Sequence, residues 1–386
     1  MFKDILIKTN CCEDTPFKEH PLFIQGGSIL AFKVYKPKDE VDISKEYTPK
    51  EIYSNLPSYT KQDKVLICDA DILSYKIASV TEFKYLYTSP EGDEYKVKSK
   101  KSFKAYCEEN GLDIDSFTVK NIQIAEPVSY AIKSMNDSVA KVMEYCGCNK
   151  VEFYIGGSDN FRNEAPLPTQ YKTNRKETVR PVHLTALKDY LIKYKGAKKV
   201  CTEEADDVVQ HRMRTLSKQG IRCVLYSNDK DCMANVDYPL LNYNPDKEDI
   251  IVSKHGVGTL IDRGKDTKGS GMKWLIFQTL LGDEIDGYTP KVFFKKQYAD
   301  KSLYKDFNDC KTEVEVLEKF VEVVKRLVPD KVSYTSFTGQ LVELNRKDLF
   351  SMYFTMNKMR DGWCETLEEL FSFYDMDVDS LIYEEE

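Results

Sequence analysis

Lys64-Val65-Leu66-Ile67-Cys68-Asp69-Ala70-Asp71 reads as a strand that runs straight into two acids. Val65 to Cys68 is apolar without polar alternation, which suits a strand buried on both faces, as in a parallel sheet. Moving outward, the pattern returns. Val151 to Ile155 passes into Gly156-Gly157-Ser158-Asp159-Asn160-Phe161-Arg162. Ala197 to Cys201 opens into Thr202-Glu203-Glu204-Ala205-Asp206-Asp207, and Ile221 to Tyr226 ends at Ser227-Asn228-Asp229-Lys230-Asp231. Between these runs, Ile72–Val80, Val128–Tyr145, Pro181–Tyr194 and Ala205–Lys218 have helical character. Strand and helix in alternation predict an α/β fold, a mostly parallel sheet flanked by helices on both faces. Ligands in such folds collect at the carboxyl ends of the strands.

Three of the four acidic clusters sit at those ends. The fourth, Asp283/Asp286, follows the apolar helix Trp274–Leu281. Acids at a helix start are favoured by the macrodipole, so Glu204-Ala205-Asp206-Asp207 alone reads as ordinary capping. Acids at a helix end are disfavoured, and carboxylates brought together raise one another's pKa. Divalent cations remove that repulsion, and all-oxygen donors select magnesium or manganese. Glu204 and Asp207, at i and i+3, share a helix face, while Asp206 points about a quarter turn away. Asp206 is thus the candidate to bridge two ions. Carboxylates with Lys172 and Arg175 nearby suggest two-metal phosphoryl chemistry.

Composition sets the bounds. The 386 residues are 41% hydrophobic and 31% charged, as in a globular protein of two or three domains. No apolar run approaches the roughly 20 residues that span a bilayer. Met1-Phe2-Lys3-Asp4-Ile5 opens no signal-peptide core, so a cytoplasmic protein without a membrane partner is expected. Eleven cysteines, odd in number and scattered, and only four histidines (His20, His183, His211, His255) lack zinc-site spacing. The net charge of −7 argues against a nucleic-acid partner, but Lys172, Arg175, Lys176 and Arg180 are bunched. A local basic face binds phosphate even on an acidic protein.

The chain divides into a proline-interrupted N-terminal extension, 1–62, an α/β core, 63–290, and a helical C-terminal region, 291–386, with an acidic tail from Asp375. Within the core, residues 81–126 read as an insertion: a hairpin, a helix over Ser102–Glu109 and a strand over Phe117–Ile124.

At this point the chain resembles the flap-endonuclease-type 5′-nucleases, and in particular the bacteriophage 5′→3′ exonucleases. Val65 to Asp69 resembles the family's first strand and aspartate. Asn160-Phe161-Arg162 with Tyr171-Lys172-Thr173-Asn174-Arg175-Lys176 resembles its phosphate-facing segment. Glu204 to Asp207, Ser227 to Asp231 and Phe277 to Tyr288 resemble its later acidic motifs. The resemblance implies metal-dependent hydrolysis of phosphodiesters from 5′ ends of DNA, or of RNA primers on DNA, in phage replication, recombination or host DNA degradation. It implies two Mg²⁺ or Mn²⁺ ions. Asp69, Glu204, Asp206 and Asp207 would hold the first. Asp229, Asp231, Asp283 and Asp286 would hold, or hydrogen-bond to, the shell of the second. Lys172 and Arg175 would act on the scissile phosphate. Arg162, Tyr171, Lys172, Arg175, Lys176 and Arg180 would touch nucleic acid, Tyr171 by stacking. Replication proteins are the other implied partners, and a monomer is expected.

Two places depart from the family. It carries an acid after the second strand, where Gly156-Gly157 stand here, so either Asp159 serves from a shifted position or the first ion has one carboxylate fewer. The glycine-rich duplex-gripping hairpin is absent after Asp286, leaving Lys291, Lys295 and Lys296 as duplex contacts. Three other readings stay open: flap endonuclease or RNase H-like primer removal; a haloacid-dehalogenase-like phosphatase built on Asp69-Ala70-Asp71; and a non-catalytic nuclease fold that binds DNA as a replisome subunit.

Overall fold

The computed structural model describes residues 41–173 and 179–383. Arg175 and Lys176, most of the N-terminal extension and the last three residues lie outside that range.

Six strands form the central sheet: β1 (Lys64–Asp69), β2 (Lys150–Gly156), β3 (Lys198–Val200), β4 (Arg222–Tyr226), β5 (Leu240–Asn244) and β6 (Asp249–Ser253). Their order is β3-β2-β1-β4-β5-β6. The first five pair in parallel, and β6 joins antiparallel to β5. The helices that matter here are α1 (Ala70–Val80), α2 (Val128–Cys146), α3 (Leu184–Lys195) and α4 (Ala205–Lys218), followed by α5 (Gly271–Leu281), α6 (Glu313–Leu327) and α7 (Arg346–Asn357).

The unbroken apolar run in β1 is explained by what covers it. Leu66 and Cys68 point into one core with Leu73 and Ile77 of α1, Met135 and Val139 of α2, and Leu187 of α3. Val65 and Ile67 point into the opposite core with Val208, Val209 and Met213 of α4. Period-two alternation therefore exists, but both faces are dry and hydropathy cannot reveal it. The chain moves outward from β1 through β2 to β3, then returns across the sheet to β4. The order reverses between β1 and β4, so a crevice opens at their carboxyl ends, and Asp69 and Asp229 arrive there from adjacent strands.

The expected insertion forms its own layer. Glu82–Thr88, Glu94–Val97 and Thr118–Ala125 make a three-stranded antiparallel sheet, and the helix Lys100–Asn110 packs on it through Phe103 and Cys107. The part of the N-terminal extension that is described is docked: Tyr47 bridges Val200 at the edge of β3, and Ile52 is buried beside α4.

Three features differ from the sequence reading. The Gly- and Lys-rich stretch Arg263–Lys273, which by composition reads as a loop, instead holds the turn and second strand of a hairpin, Thr259–Asp262 with Thr267–Ser270, and the first turn of α5. The C-terminal region also contains a hairpin, Lys331–Thr335 with Leu341–Asn345. The acidic tail is anchored, because Val378 and Leu381 are buried. The boundary at 290 also runs through one core. Ten of the eleven residues of α5 are buried, packed against Phe320, Phe350 and Phe354 of α6 and α7. A helix apolar on all sides is an interior helix, and α5 is the pillar that joins the two regions.

Candidate active site

A cleft of about 990 Å³ lies over the carboxyl ends of β1, β2 and β4. Asp69, Asp206, Asp229 and Asp231 line its floor, with Glu204, Asp286 and Asp71 around them. Asp69 ends β1 and caps α1, its carboxylate accepting the Asp71 amide at 2.9 Å. Asp206 is in the first turn of α4. Asp229 and Asp231 follow β4 in a tight turn in which the Asp231 amide donates to the Asp229 carboxylate at 2.8 Å.

These carboxylates disturb one another. Burial, then the charge of Asp71, pushes Asp69 up to about 7. Burial, then Asp229, pushes Asp231 up to about 7. Asp206 is driven well above the usual carboxylate range by burial and by Asp69, Asp229 and Glu204. Burial also raises Asp229, against the pull of Lys230 and Lys172.

Lys172 brings a cation into the cluster. Its ammonium pairs with Glu204 and lies 4.0 Å from Asp286. Its backbone is left-handed, φ 55°, with its amide bonded to the Asp286 carbonyl at 2.8 Å. Such a conformation costs roughly 1–2 kcal/mol in an L-residue and collects at functional sites. Asn160 donates to Glu204 at 3.1 Å.

The expected residues divide into two groups. Asp69, Glu204, Asp206, Asp229, Asp231 and Asp286 come together with Lys172. Arg180 is exposed on the cleft rim, and Asp159 is exposed on its wall. Asp283 stands back from the cleft: its carboxylate meets Lys230 at 3.0 Å and accepts the Ile285 amide at 2.8 Å. Burial would raise Asp283, but Lys230 and those amides outweigh it, and its pKa is lowered.

Three expectations are corrected. Asp207 does not face the cleft. It is fully buried, and its oxygens take both arms of Arg162, at 2.6 and 2.8 Å, together with the amides of Arg360 and Glu204. Burial would raise its pKa, but Arg162 holds it below the usual range. Arg162 is therefore no nucleic-acid contact: it is 3% exposed, and it also donates to the carbonyls of Met356 and Lys358. Glu204 and Asp207 do share a face, but the group on that face is Arg162, 3.6 Å from Glu204. Tyr171 offers no stacking surface. Its ring is 7% exposed, its hydroxyl points at Glu204, and the Lys172 ammonium sits over it at 4.8 Å. Among the other basic candidates, Lys291 is taken up by Asp300 at 2.9 Å.

Asp71 is the residue that spacing undervalued. Its carboxylate accepts the Gly156 amide at 2.6 Å and pairs with Lys188. A Cβ on Gly156 would lie 2.9 Å from that same oxygen, so the carboxylate of Asp71 fills the space a side chain at 156 would use. Gly157 is closed to any side chain, since a Cβ there would lie 2.2 Å from the Val200 carbonyl. The signal in the sequence was the coincidence of Asp69-Ala70-Asp71 with a bare Gly156-Gly157, which only the β1–β2 pairing connects.

No protein-family model matches the chain, and no curated protein sequence matches it. Solved structures do. The chain is similar to the bacteriophage T5 5′-exonuclease with zinc bound, at 12% identity and a TM-score of 0.37, over 83% of this chain and 100% of that one. It is also similar to the bacteriophage T5 flap endonuclease in a pseudo-enzyme–product complex with DNA and metal ions, at 11% identity and a TM-score of 0.45, over 83% of this chain and 99% of that one.

Proposed function

We propose that this protein is a metal-dependent 5′→3′ exonuclease that hydrolyses phosphodiester bonds from the 5′ ends of duplex DNA, and of RNA primers on DNA. The observation that carries the reading is the meeting of Asp69, Asp206, Asp229 and Asp231 at the point where the sheet order reverses, each held above its ordinary pKa by burial and by its neighbours. Evenly spread surface acids would not do this.

Among the described residues, no three His, Cys, Asp or Glu side chains already surround a single point. The donor set nevertheless suits a hard divalent cation such as Mg²⁺ or Mn²⁺: every donor is a carboxylate oxygen, and among the described residues these acids outnumber the cations beside them, Lys172, Lys230 and Arg162. Asp69, Glu204 and Asp206 would hold one ion, and Asp229, Asp231 and Asp286 the other. Bound there, two such ions supply an activated water and neutralise charge on the departing oxygen. The chain's own groups do the rest. Lys172 is free to move from Glu204 to a phosphate once the acids are neutralised. Asn160 holds Glu204 in place, and Lys230 holds Asp283 and so orients the loop of Asp286.

The test is release of nucleotides from a 5′-labelled duplex with magnesium and with chelator. We expect hydrolysis only with magnesium, from the 5′ end, and none in the Asp206→Ala, Asp229→Ala double variant, whose circular dichroism should match the wild type. Activity in excess chelator, or degradation that begins at the 3′ end, would overturn the reading.

A further inference from the structure

The inserted sheet has two faces. Tyr85, Tyr87, Tyr95 and Val97 pack towards the helix Lys100–Asn110, with Tyr87 stacked on Phe103 at 4.0 Å. The opposite face carries residues of the other parity. Leu86 is directly opposite Lys96 on one side and Lys120 on the other. Cross-strand partners share a face, so Lys96, Leu86 and Lys120 form one row. Lys84 is two residues before Leu86 on the same strand, at the register shift between Phe83 and Tyr85, and continues the row towards the cleft. Of the other lysines on the insertion, Lys98 pairs with Glu126, Lys104 lies 3.9 Å from Glu108, and Lys100 sits over the Tyr85 ring on the helix side. Lys84, Lys96 and Lys120 make no ion pair among the described residues. Two acids have the same parity: Glu94, opposite Thr88 at the far end, and Glu82, two residues before Lys84, which is buried and accepts the Val182 amide. A row of unpaired lysines on a flat sheet repels itself, and an acidic protein has carboxylates to spare for pairing them.

The row also leads somewhere. The Lys84 ammonium lies 2.5 Å from the Ser79 hydroxyl, and Ser79 and Val80 line the cleft. The insertion is fastened to the same rim: the Val182 amide donates to Glu82 at 2.9 Å, and Gln123 donates to the Arg180 carbonyl at 2.8 Å. Arg180, exposed at the cleft, thus stands between the acidic floor and the lysine row.

We infer that the open face of the inserted sheet is a binding track for the phosphodiester backbone of the DNA strand that occupies the cleft, with Arg180, Lys84, Lys96 and Lys120 as its phosphate contacts. The inference rests on the nuclease reading for the identity of the strand. Two strand spacings, roughly 10 Å, separate Lys96 from Lys120, so the track contacts more than one phosphate. It supplies affinity and register, not sequence preference or chemistry.

The experiment measures anisotropy of a fluorescein-labelled oligonucleotide duplex in calcium, across a salt series, for the wild type and for the Lys84→Gln, Lys96→Gln, Lys120→Gln triple variant. Each lost phosphate contact on a duplex should lower the slope of log affinity against log salt by about 0.9, so a fall of about 2.7 is expected for the three lysines, with weaker binding at low salt. Hydrolysis of a single-nucleotide aryl phosphodiester, too short to reach the sheet, should stay at the wild-type rate. An unchanged slope in a folded triple variant overturns the inference, as would capture of an acidic peptide by this face in place of DNA. Wild-type protein that binds with the steep slope but cleaves nothing sinks the nuclease reading and leaves the track standing.

Discussion

Asp206 and Asp207 are neighbours in the first turn of α4, yet they meet opposite surroundings. Asp206 faces the cleft, where three other acids help raise its pKa. Asp207 faces the interior, where Arg162 lowers it. One turn of helix thus carries a carboxylate crowded by other acids and one saturated by an arginine. The difference lies in what the rest of the chain delivers to each side. β1 and β4 bring more acid to Asp206. The loop after β2 brings Arg162 to Asp207, and the end of α7 with the segment after it closes over the pair: the Arg360 amide donates to Asp207, while the carbonyls of Met356 and Lys358 accept from Arg162. Charge is left uncompensated where a ligand would enter and is compensated where the C-terminal region docks.

The comparison breaks most sharply at the buried pair. Arg162→Ala would leave Asp207 ionised and fully buried without its partner, a change that costs about 3–5 kcal/mol. Chemical denaturation should show that loss, with part of it recovered as pH is lowered, because without Arg162 burial raises the Asp207 pKa and the acid takes up a proton more readily. Loss of less than about 1 kcal/mol would mean that the pair is not what holds the two regions together.

On the cleft side the effect is on activity. Asp71→Ala removes the carboxylate that fills the space over Gly156, and we expect activity to fall by about 10–100-fold with little change in melting temperature, the range for loss of groups that orient metal ligands. Gly156→Asp should harm the protein on its own, because its Cβ would crowd the Asp71 oxygen at 2.9 Å, and should be tolerated in the Asp71→Ala background. An additive rather than compensating double variant would show that the two positions do not share one site.

This pair of residues also shows why the site was only partly legible. The strand ends and their acids could be read directly, since a strand buried on both faces is an unbroken apolar run and Asp69, Asp206, Asp229 and Asp231 each follow or flank one. Arg162 could not. An arginine in a polar loop looks like a surface phosphate contact until the fold buries it. The stacking expected of Tyr171 failed for the same reason. The hairpin at 259–270 was hidden because Arg263-Gly264-Lys265-Asp266 is a polar turn whose flanking strands are four residues each. The hairpin at 331–345 was hidden behind the helical character on both sides of it. Both depend on packing against α5 and its neighbours, which no local pattern encodes.

The cleft and the interior should also answer pH differently. Asp69 and Asp231 have folded values near 7, above the ordinary carboxylate value near 4. In metal-free protein their contribution to stability is therefore fully present below about pH 4 and is lost as pH rises through about 7. Asp207, with its pKa lowered, contributes in the opposite sense, its stabilisation present above the ordinary value and lost as acid protonates it. Magnesium or manganese should raise the melting temperature more at pH 8 than at pH 5, because the ligands must be ionised to bind. Calorimetry across that range, with and without metal, reads this directly. A metal-induced shift equal at both pH values would mean that the cleft carboxylates are not the binding groups.

The smallest expected effect comes from the rim between the two environments. Arg360 pairs with Glu203 at 3.0 Å and lies over the Phe161 ring at 3.8 Å, but its side chain is 39% exposed. Burial, with the charge of Asp207, raises Glu203 even though Arg360 is beside it, so the pair does not fully satisfy this acid. Arg360→Ala should then cost no more than about 1 kcal/mol, as for a partly solvated ion pair. The backbone amide that seals Asp207 stays in place in this variant, whereas Arg162→Ala removes the guanidinium itself. If Arg360→Ala proved as damaging as Arg162→Ala, the seal would depend on the side chain over Phe161 rather than on the buried pair, and the boundary between the two environments would lie one layer further out.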